Sequence, residues 1–271
     1  MAVSALPPPR RTDDAYVEPY GDEPEDSASK MSFLEHLDEL RKRLIVSVSA
    51  IAGGFFICLF FIDRIFAFIM VPLQQALPKG GKFIYTEPTE AFMIQIKGAA
   101  LVGLIVAAPV VLWQLWLFIA PGLYANEKRF AIPFVFMTTF FFVGGALFSH
   151  FVAFPWSWVF FASFTTNYMD FLPKIGPVFS LYAKMMLAFG VIFQMPTLVF
   201  FLARFGLVTA RLLIRYFKYA FLVIFIIAAV LSPGTDVVSQ LMMAVPMLLL
   251  YLISIVVAWA FGKRKPREAE A

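Results

Sequence analysis

Six stretches of the chain run without Asp, Glu, Lys or Arg for long enough to cross a bilayer: Leu44–Ile62, Gly98–Asn126, Phe130–Met169, Met185–Ala203, Tyr219–Thr235 and Val237–Gly262. A hydrocarbon core about 30 Å thick needs roughly 20 residues of apolar helix. Inside it the backbone has no water to bond, so helices that satisfy their own amides are the economical solution. The pattern therefore predicts an all-α polytopic membrane protein with six transmembrane helices. Tyr219–Thr235 is the shortest run and is expected to span only a thinned bilayer or a bundle interior. Phe130–Met169 is long enough to raise the question of two crossings. A seventh crossing would send the basic segment Arg204–Lys218 to the outer side, and Trp156-Ser157-Trp158 after Pro155 reads as an interfacial anchor. One span is expected there.

The polar segments predict how the spans are joined. Ser32-Phe33-Leu34-Glu35 fits a capping box, in which the Ser hydroxyl accepts from the Glu35 amide and the Glu side chain reaches back. Phe33, Leu34, Leu37, Leu40 and Leu44 then follow helical spacing while Glu35, Asp38, Glu39 and Arg43 face elsewhere, so residues 32–43 read as an amphipathic helix running into the first span. The loop after that span carries Pro72-Leu73, Leu77-Pro78 and Gly80-Gly81. It is expected to be ordered against the membrane and partly helical, with the second span starting at Pro88-Thr89-Glu90. Residues 1–30 are too polar and acidic to bury a core and read as a disordered acidic tail without a cleavable signal peptide. The predicted organisation is thus residues 1–30 as that tail, 31–262 as one membrane domain, and 263–271 as a basic tail.

Charge then orients the bundle. The segments before the first span, around Lys128 and Arg129, across Arg204–Lys218 and after Gly262 together hold sixteen of the 22 Lys and Arg. The other side has Arg64, Lys79, Lys82 and Lys174, with Lys97 and Lys184 at span ends. The positive-inside bias puts both termini in the cytoplasm. A hydrophobic fraction of 61% and 33 Phe fit a membrane protein, so the net charge of +4 reflects topology and not nucleic-acid binding. Cys58 is the only cysteine and lies inside the first span, so no disulfide or Cys-based metal site is expected. His36 and His150 fall on opposite faces in this topology, and Gly80-Gly81-Lys82 lacks phosphate-loop spacing. No cofactor, metal or nucleotide is expected, and no enzymatic activity.

Internal duplication, the usual sign of a small-molecule transporter, is limited to a Lys twelve residues before a Pro in two spans (Lys97 with Pro109, Lys184 with Pro196). The more informative residues are Glu39 and Glu127, two acids on the basic face. Glu39 can be an i,i+4 partner for Arg43, and Glu127 a charge favoured at the N-terminus of the third span. Alternatively the two carboxylates form a site for guanidinium groups of a ligand, since a carboxylate accepts arginine in a bidentate fork that lysine cannot match. The residues alone leave both readings open.

A resemblance bears on that choice. The stretch His36-Leu37-Asp38-Glu39-Leu40-Arg41-Lys42-Arg43-Leu44 resembles the N-terminal signature of the TatC family, signal-peptide receptors of the twin-arginine protein translocase. Trp113-Gln114-Leu115-Trp116-Leu117-Phe118-Ile119-Ala120-Pro121-Gly122-Leu123-Tyr124, leading into Glu127-Lys128-Arg129, is similar to the same family. So are Ala188-Phe189-Gly190-Val191-Ile192-Phe193-Gln194-Met195-Pro196 and Leu231-Ser232-Pro233-Gly234-Thr235-Asp236-Val237-Val238-Ser239-Gln240. The four matches lie in order and cover roughly residues 31–262.

The resemblance implies a cup-shaped bundle in the bacterial cytoplasmic (inner) membrane that binds paired-arginine signal peptides of folded cargo. It also implies assembly with the single-span TatA and TatB proteins into an oligomeric complex driven by the proton-motive force. Carried over residue by residue, Glu39 and Glu127 match the acids that contact the twin arginines, and Arg41 and Phe118 match neighbours of that site. Pro72 and Phe92 match positions that support assembly and transport, and Asp236 and Gln240 match the last outer turn and the start of the sixth span. Many members carry a glutamate where this chain has Gln194, which keeps donors and an acceptor but cannot titrate; the resemblance gives that position a partner-binding role, and an internal hydrogen bond is the alternative. A proton-coupled small-molecule transporter is the competing function. It would want an acid inside a span, and the spans contain none.

Overall fold

The structure, a computed structural model, describes residues 33–75, 77, 81–119, 131–166, 168, 171–232 and 236–262. Within them the chain is helical: α1 (Phe33–Phe60), α2 (Ile62–Gln74), α3 (Glu90–Ile119), α4 (Ala131–Phe148), α5 (Phe154–Ala162), α6 (Ile175–Ile192), α7 (Gln194–Arg204), α8 (Ala210–Arg215), α9 (Phe217–Leu231) and α10 (Val237–Phe261). Residues up to Glu39 and residues from Leu40 onward group as two separate units. In the first unit, residues 33–39 form the opening turns of α1, with Glu35 in the first turn. Ser32 and the acidic tail lie outside the described residues, as do residues 120–130 with Glu127 and the tail from residue 263.

Among the described residues five helical stretches are long and apolar enough to cross a membrane: Glu35–Phe60, Glu90–Phe118, Ile132–Ala162, Ile175–Arg204 and Val237–Phe261. The sixth apolar helix, α9, has 15 residues, about 22 Å at 1.5 Å per residue, which is short of a full hydrocarbon core. This is the short span the sequence predicts. The long run after Phe130 is one rod: α4 passes through a π-helical turn, Ser149–Ala153, into α5 without reversing. The fourth span is broken between α6 and α7 because Pro196 has no amide to donate to the carbonyl of Ile192 and its ring crowds the preceding turn. α7 ends where Gly206 takes φ +80°. The Leu207 amide bonds the Leu202 carbonyl and the Gly206 amide the Ala203 carbonyl, a Schellman closure that needs a residue tolerant of the left-handed region.

The core of the second unit sits where α2, α4, α5, α6 and α10 converge, on Leu73, Phe154, Phe179, Tyr182, Met185, Phe189 and Met247. Close helix crossings use missing side chains. A Cβ on Gly54 of α1 would lie 2.5 Å from the Gly103 carbonyl of α3, and one on Gly145 of α4 would collide with the Phe189 carbonyl of α6. Association in lipid relies on such contact, because the hydrophobic effect offers helices no preference for one another there. His150 is part of this packing: it is buried, its Nδ1 lies 2.8 Å from the Tyr182 hydroxyl, and its ring stacks on Phe68.

Candidate functional site

The N-terminal signature begins in the first unit, where Glu39 occupies a half-buried position late in the second turn of α1. In the second unit the same helix continues with Arg41 and Lys42 exposed and Arg43 half-buried. Arg43 Nη1 lies 3.4 Å from Gln114 Oε1 near the end of α3. Phe118 follows Gln114 by one helical turn, so the two share a face of α3, and Phe118 is half-buried. The structure thus brings Arg43, Gln114 and Phe118 to one end of the bundle with Arg41 exposed two residues earlier. Sequence reasoning named Arg43 as an i,i+4 partner of Glu39 and missed Gln114 as its acceptor.

Aromatic packing fixes the chain on both sides of residues 120–130. Trp116 of α3 is 3% exposed. Its ring lies 4.4 Å from Phe134 of α4, which in turn lies 4.6 Å from Phe201 of α7. Offset and edge contacts of this kind contribute about 0.5–1.5 kcal/mol beyond the buried area. The last turns of α3 and the first turn of α4 are therefore clamped to α7. Trp116 was legible in the sequence as part of a signature, but its partners were not.

Gln194 sits where the fourth span breaks. Its Nε2 donates to the Thr138 carbonyl of α4 at 2.8 Å, while its Oε1 is buried and has no hydrogen-bond partner among the described residues. The carbonyl fixes which end of the amide is the donor. The internal bond expected as the alternative is present and uses half of the amide. A glutamate here would set a carboxylate oxygen against that carbonyl unless it were protonated.

The opposite end, where α3 and α6 begin, is held by bonds between distant segments. Pro72 is fully buried within α2. The carbonyl of Leu73, in the last turn of that helix, accepts the indole N–H of Trp158 at 3.0 Å. Trp158 is 5% exposed and Trp156 is 71% exposed, so of the pair read as an interfacial anchor only Trp156 has that character; Trp158 is a pin between α5 and α2. Glu90, the first residue of α3, accepts from the Thr86 amide at 3.1 Å and from the Gly176 amide in the first turn of α6 at 2.9 Å. A Cβ on Gly176 would strike that carboxylate. Beside it, the Ile84 and Ile175 amides bond Pro173 and Ile84 carbonyls at 3.1 and 3.0 Å. The sequence marked Glu90 as a helix start; its second role, capping α6, was missed. Phe92, by contrast, is 61% exposed.

Asp236 and Gln240 act within the last two helices. Asp236 caps α10: one carboxylate oxygen accepts the Ser239 amide and the other the Ser239 hydroxyl, both at 2.8 Å. These bonds hold the Asp236 carboxyl below its ordinary pKa, the backbone bond contributing most. Ser232 donates to the same Ser239 hydroxyl at 2.8 Å, closing the turn from α9. Gln240 Nε2 donates to the Phe225 carbonyl of α9 at 2.9 Å. Among the described residues no group of three His, Cys, Asp or Glu comes together as a metal site.

Comparison with known proteins bears on what these ends do. Residues 35–246 match the family described as Sec-independent protein translocase protein (TatC). The chain is 42% identical over 241 residues to the TatC of Desulforapulum autotrophicum, covering 89% of each chain. It is also 42% identical over 246 residues to that of Koribacter versatilis, covering 89% of this chain and 90% of the relative. A solved structure of the twin arginine translocase receptor TatC in the detergent DDM superposes with a TM-score of 0.75 at 37% identity, covering 85% of this chain and all of the other.

Proposed function

This chain belongs to the TatC family of Sec-independent protein translocase proteins, and we infer that it is the core receptor of the twin-arginine export pathway in the bacterial inner membrane. The observation that carries this is the continuous family match over residues 35–246, which contains every residue assigned here to signal-peptide and partner contacts. It is a multi-pass membrane component of a protein translocase, a transport role and not a catalytic one. The competing reading, a proton-coupled small-molecule transporter, draws no support from these relatives.

The finer assignments are our own. Both termini face the cytoplasm, on the bias of Lys and Arg among the connecting segments. Residues 1–30 and 263–271 are tails around one membrane domain, residues 31–262. Glu39 and Glu127 each take a guanidinium of the paired arginines, with Arg41 and Phe118 beside them. Support comes from the half-buried setting of Glu39 and from the aromatic clamp of Trp116, Phe134 and Phe201 on the helices flanking residues 120–130. Pro72 acts in assembly by keeping α2 in shape, and Phe92 offers an exposed apolar contact to TatA or TatB. Asp236 and Gln240 support assembly by fixing the α9–α10 turn that a partner helix meets. Gln194 receives a donor from such a helix on its unbonded Oε1. Transport draws on the proton-motive force, so purified protein should show no peptide-stimulated ATP hydrolysis.

The test is peptide binding in membranes, by crosslinking or titration, with twin-arginine and twin-lysine peptides. Charge-assisted hydrogen bonds contribute about 1.5–3 kcal/mol, so Glu39→Gln and Glu127→Gln should each weaken the arginine peptide roughly tenfold or more. Unchanged affinity in both variants overturns the assignment of the acids.

A further inference from the structure

Basic residues lie on one side at or near the ends of three charge-free runs: Arg64 one residue beyond Asp63, where Leu44–Ile62 stops, Lys97 just before Gly98 and Lys184 just before Met185. Counting about 20 residues per crossing from Leu44 along α1 reaches the neighbourhood of Arg64, and counting back from Ile119 along α3 reaches Lys97. Arg64 therefore sits at the boundary between hydrocarbon and headgroups, near the start of α2. Its side chain is exposed, with no hydrogen bond or ion pair to any described residue. Asp63 is adjacent in sequence, but successive residues of a helix point about 100° apart and do not pair face to face.

Below Arg64 lies a cavity of about 260 Å³ between α2, α3, α4 and α6, with walls made by Phe68, Val102, Ile105, Ala146 and Met186 among others. Among the described residues Arg64 is the only charged one in its lining, and it contributes its aliphatic stem. Along α3, Val102 and Ile105 lie about 8 and 12 Å deeper than Lys97 at 1.5 Å per residue, so the cavity runs from the headgroup level into the hydrocarbon. An apolar cavity of about 150 Å³ is already enough to hold benzene, and this one is larger. It is too small for a helix, whose diameter with side chains is about 10–12 Å. A free inorganic anion would gain from Arg64 but has no use for the apolar walls.

We propose that this cavity holds an acyl chain of a phospholipid with an anionic headgroup, drawn from the leaflet on the side where α1 ends, with its phosphate paired to the Arg64 guanidinium. The ligand matches the site in three respects: an apolar tail for the cavity, a negative group for the cation whose aliphatic stem lines it, and a headgroup depth equal to that of Arg64. Arg64 also has the length to follow the phosphate as the lipid moves, since its aliphatic stem lies along apolar surface while its head stays polar.

The experiment uses the full chain in vesicles of phosphatidylglycerol and phosphatidylethanolamine, with a trace of either lipid carrying a diazirine on one acyl chain. After photolysis, labelled residues are mapped by mass spectrometry. The phosphatidylglycerol probe should label Leu147 and Met186 in preference to the phosphatidylethanolamine probe. Arg64→Gln should lower that labelling roughly fivefold, the weight of one basic residue at an anionic surface, and Arg64→Lys should keep most of it. Ala146→Phe should empty the cavity of label and leave labelling of exposed lipid-facing residues such as Phe140 unchanged; if it fails to fold, the Arg64 pair decides. Equal labelling by the two probes, no change in Arg64→Gln, or a partner helix crosslinked inside the cavity each overturns the proposal.

Discussion

The two ends of the bundle are built on different principles. Where α3 and α6 begin, segments about 85 residues apart in sequence are joined by short directional bonds, Trp158 to Leu73 at 3.0 Å and Gly176 to Glu90 at 2.9 Å, and by the backbone pair between Ile84 and Ile175. Each uses a group that a helix end leaves without an internal partner. At the other end, α1 and α3 meet through the longer Arg43–Gln114 contact at 3.4 Å, beside exposed Arg41 and Lys42. Rigidity there comes from rings and not from charges, in the Trp116, Phe134 and Phe201 cluster. The difference suits a receptor: at one end distant segments are tied together by the groups of helix ends, and at the other Arg41 and Lys42 stay exposed where a ligand can meet them.

The largest effect should come from removing the pin of the braced end. Trp158→Ala deletes a buried indole and should cost about 3–5 kcal/mol, read as a lower thermal midpoint in detergent. Trp158→Phe keeps the ring but leaves the Leu73 carbonyl without a donor, at about 1–3 kcal/mol. An unchanged midpoint in both would show that this end is not braced as described. Next in size is Glu90→Ala, which strips the caps from Thr86 and Gly176. About 1–3 kcal/mol should be lost, with faster hydrogen exchange confined to the first turn of α6. Twin-arginine binding at the other end should survive it once the protein is folded. If binding and α6 exchange change together, the two ends are coupled and the contrast between them fails.

Smaller effects probe the regions between and beside the ends. Gln194→Leu removes an interhelical bond of a kind that contributes about 0.6 kcal/mol on average, so the receptor should stay folded and bind peptide. Crosslinks from the fourth span to TatA or TatB should weaken; if they persist, the bond to Thr138 is the residue's whole role. The smallest effect is the acid response of Asp236. Its carboxyl is held below the ordinary carboxylate value by the Ser239 bonds. A depressed folded-state pKa adds stability that is fully present above the unfolded value and is lost as pH falls through the folded one. Protection of the first amides of α10 should therefore be flat from neutral pH down to about 5 and fall in the region below 4. Asp236→Asn should remove that acid limb, and exchange measured across the range checks it.

Much of the architecture was legible from the pattern of charges. The single rod after Phe130, the partly helical connection that became α2 and the short ninth helix all follow from run lengths and Pro positions, because a bilayer core fixes how many apolar residues a span needs. The two acids proposed to bind the signal peptide were legible only through resemblance, since a lone Glu on a basic face has an ordinary explanation as well as a functional one. Glu90 and Trp158 were visible as a helix start and an aromatic near an interface. Their actual partners, Gly176 and Leu73, lie 86 and 85 residues away and leave no local mark.

The sequence by itself therefore determined that this chain carries about six apolar helices suited to a membrane, roughly where each lies, and which family signatures it carries. Those properties depend on local composition measured against a slab of fixed thickness. Only the tertiary structure decided that Gln194 spends its donor on Thr138, that Arg43 turns to Gln114, that Trp158 is a pin, and that Arg64 stands over an apolar cavity. In lipid every helix face is equally apolar, so hydrophobicity cannot choose which faces meet. The choice falls to small-residue crossings such as Gly54 with Gly103 and to a few polar atoms that must find partners, and both are properties of pairs of helices.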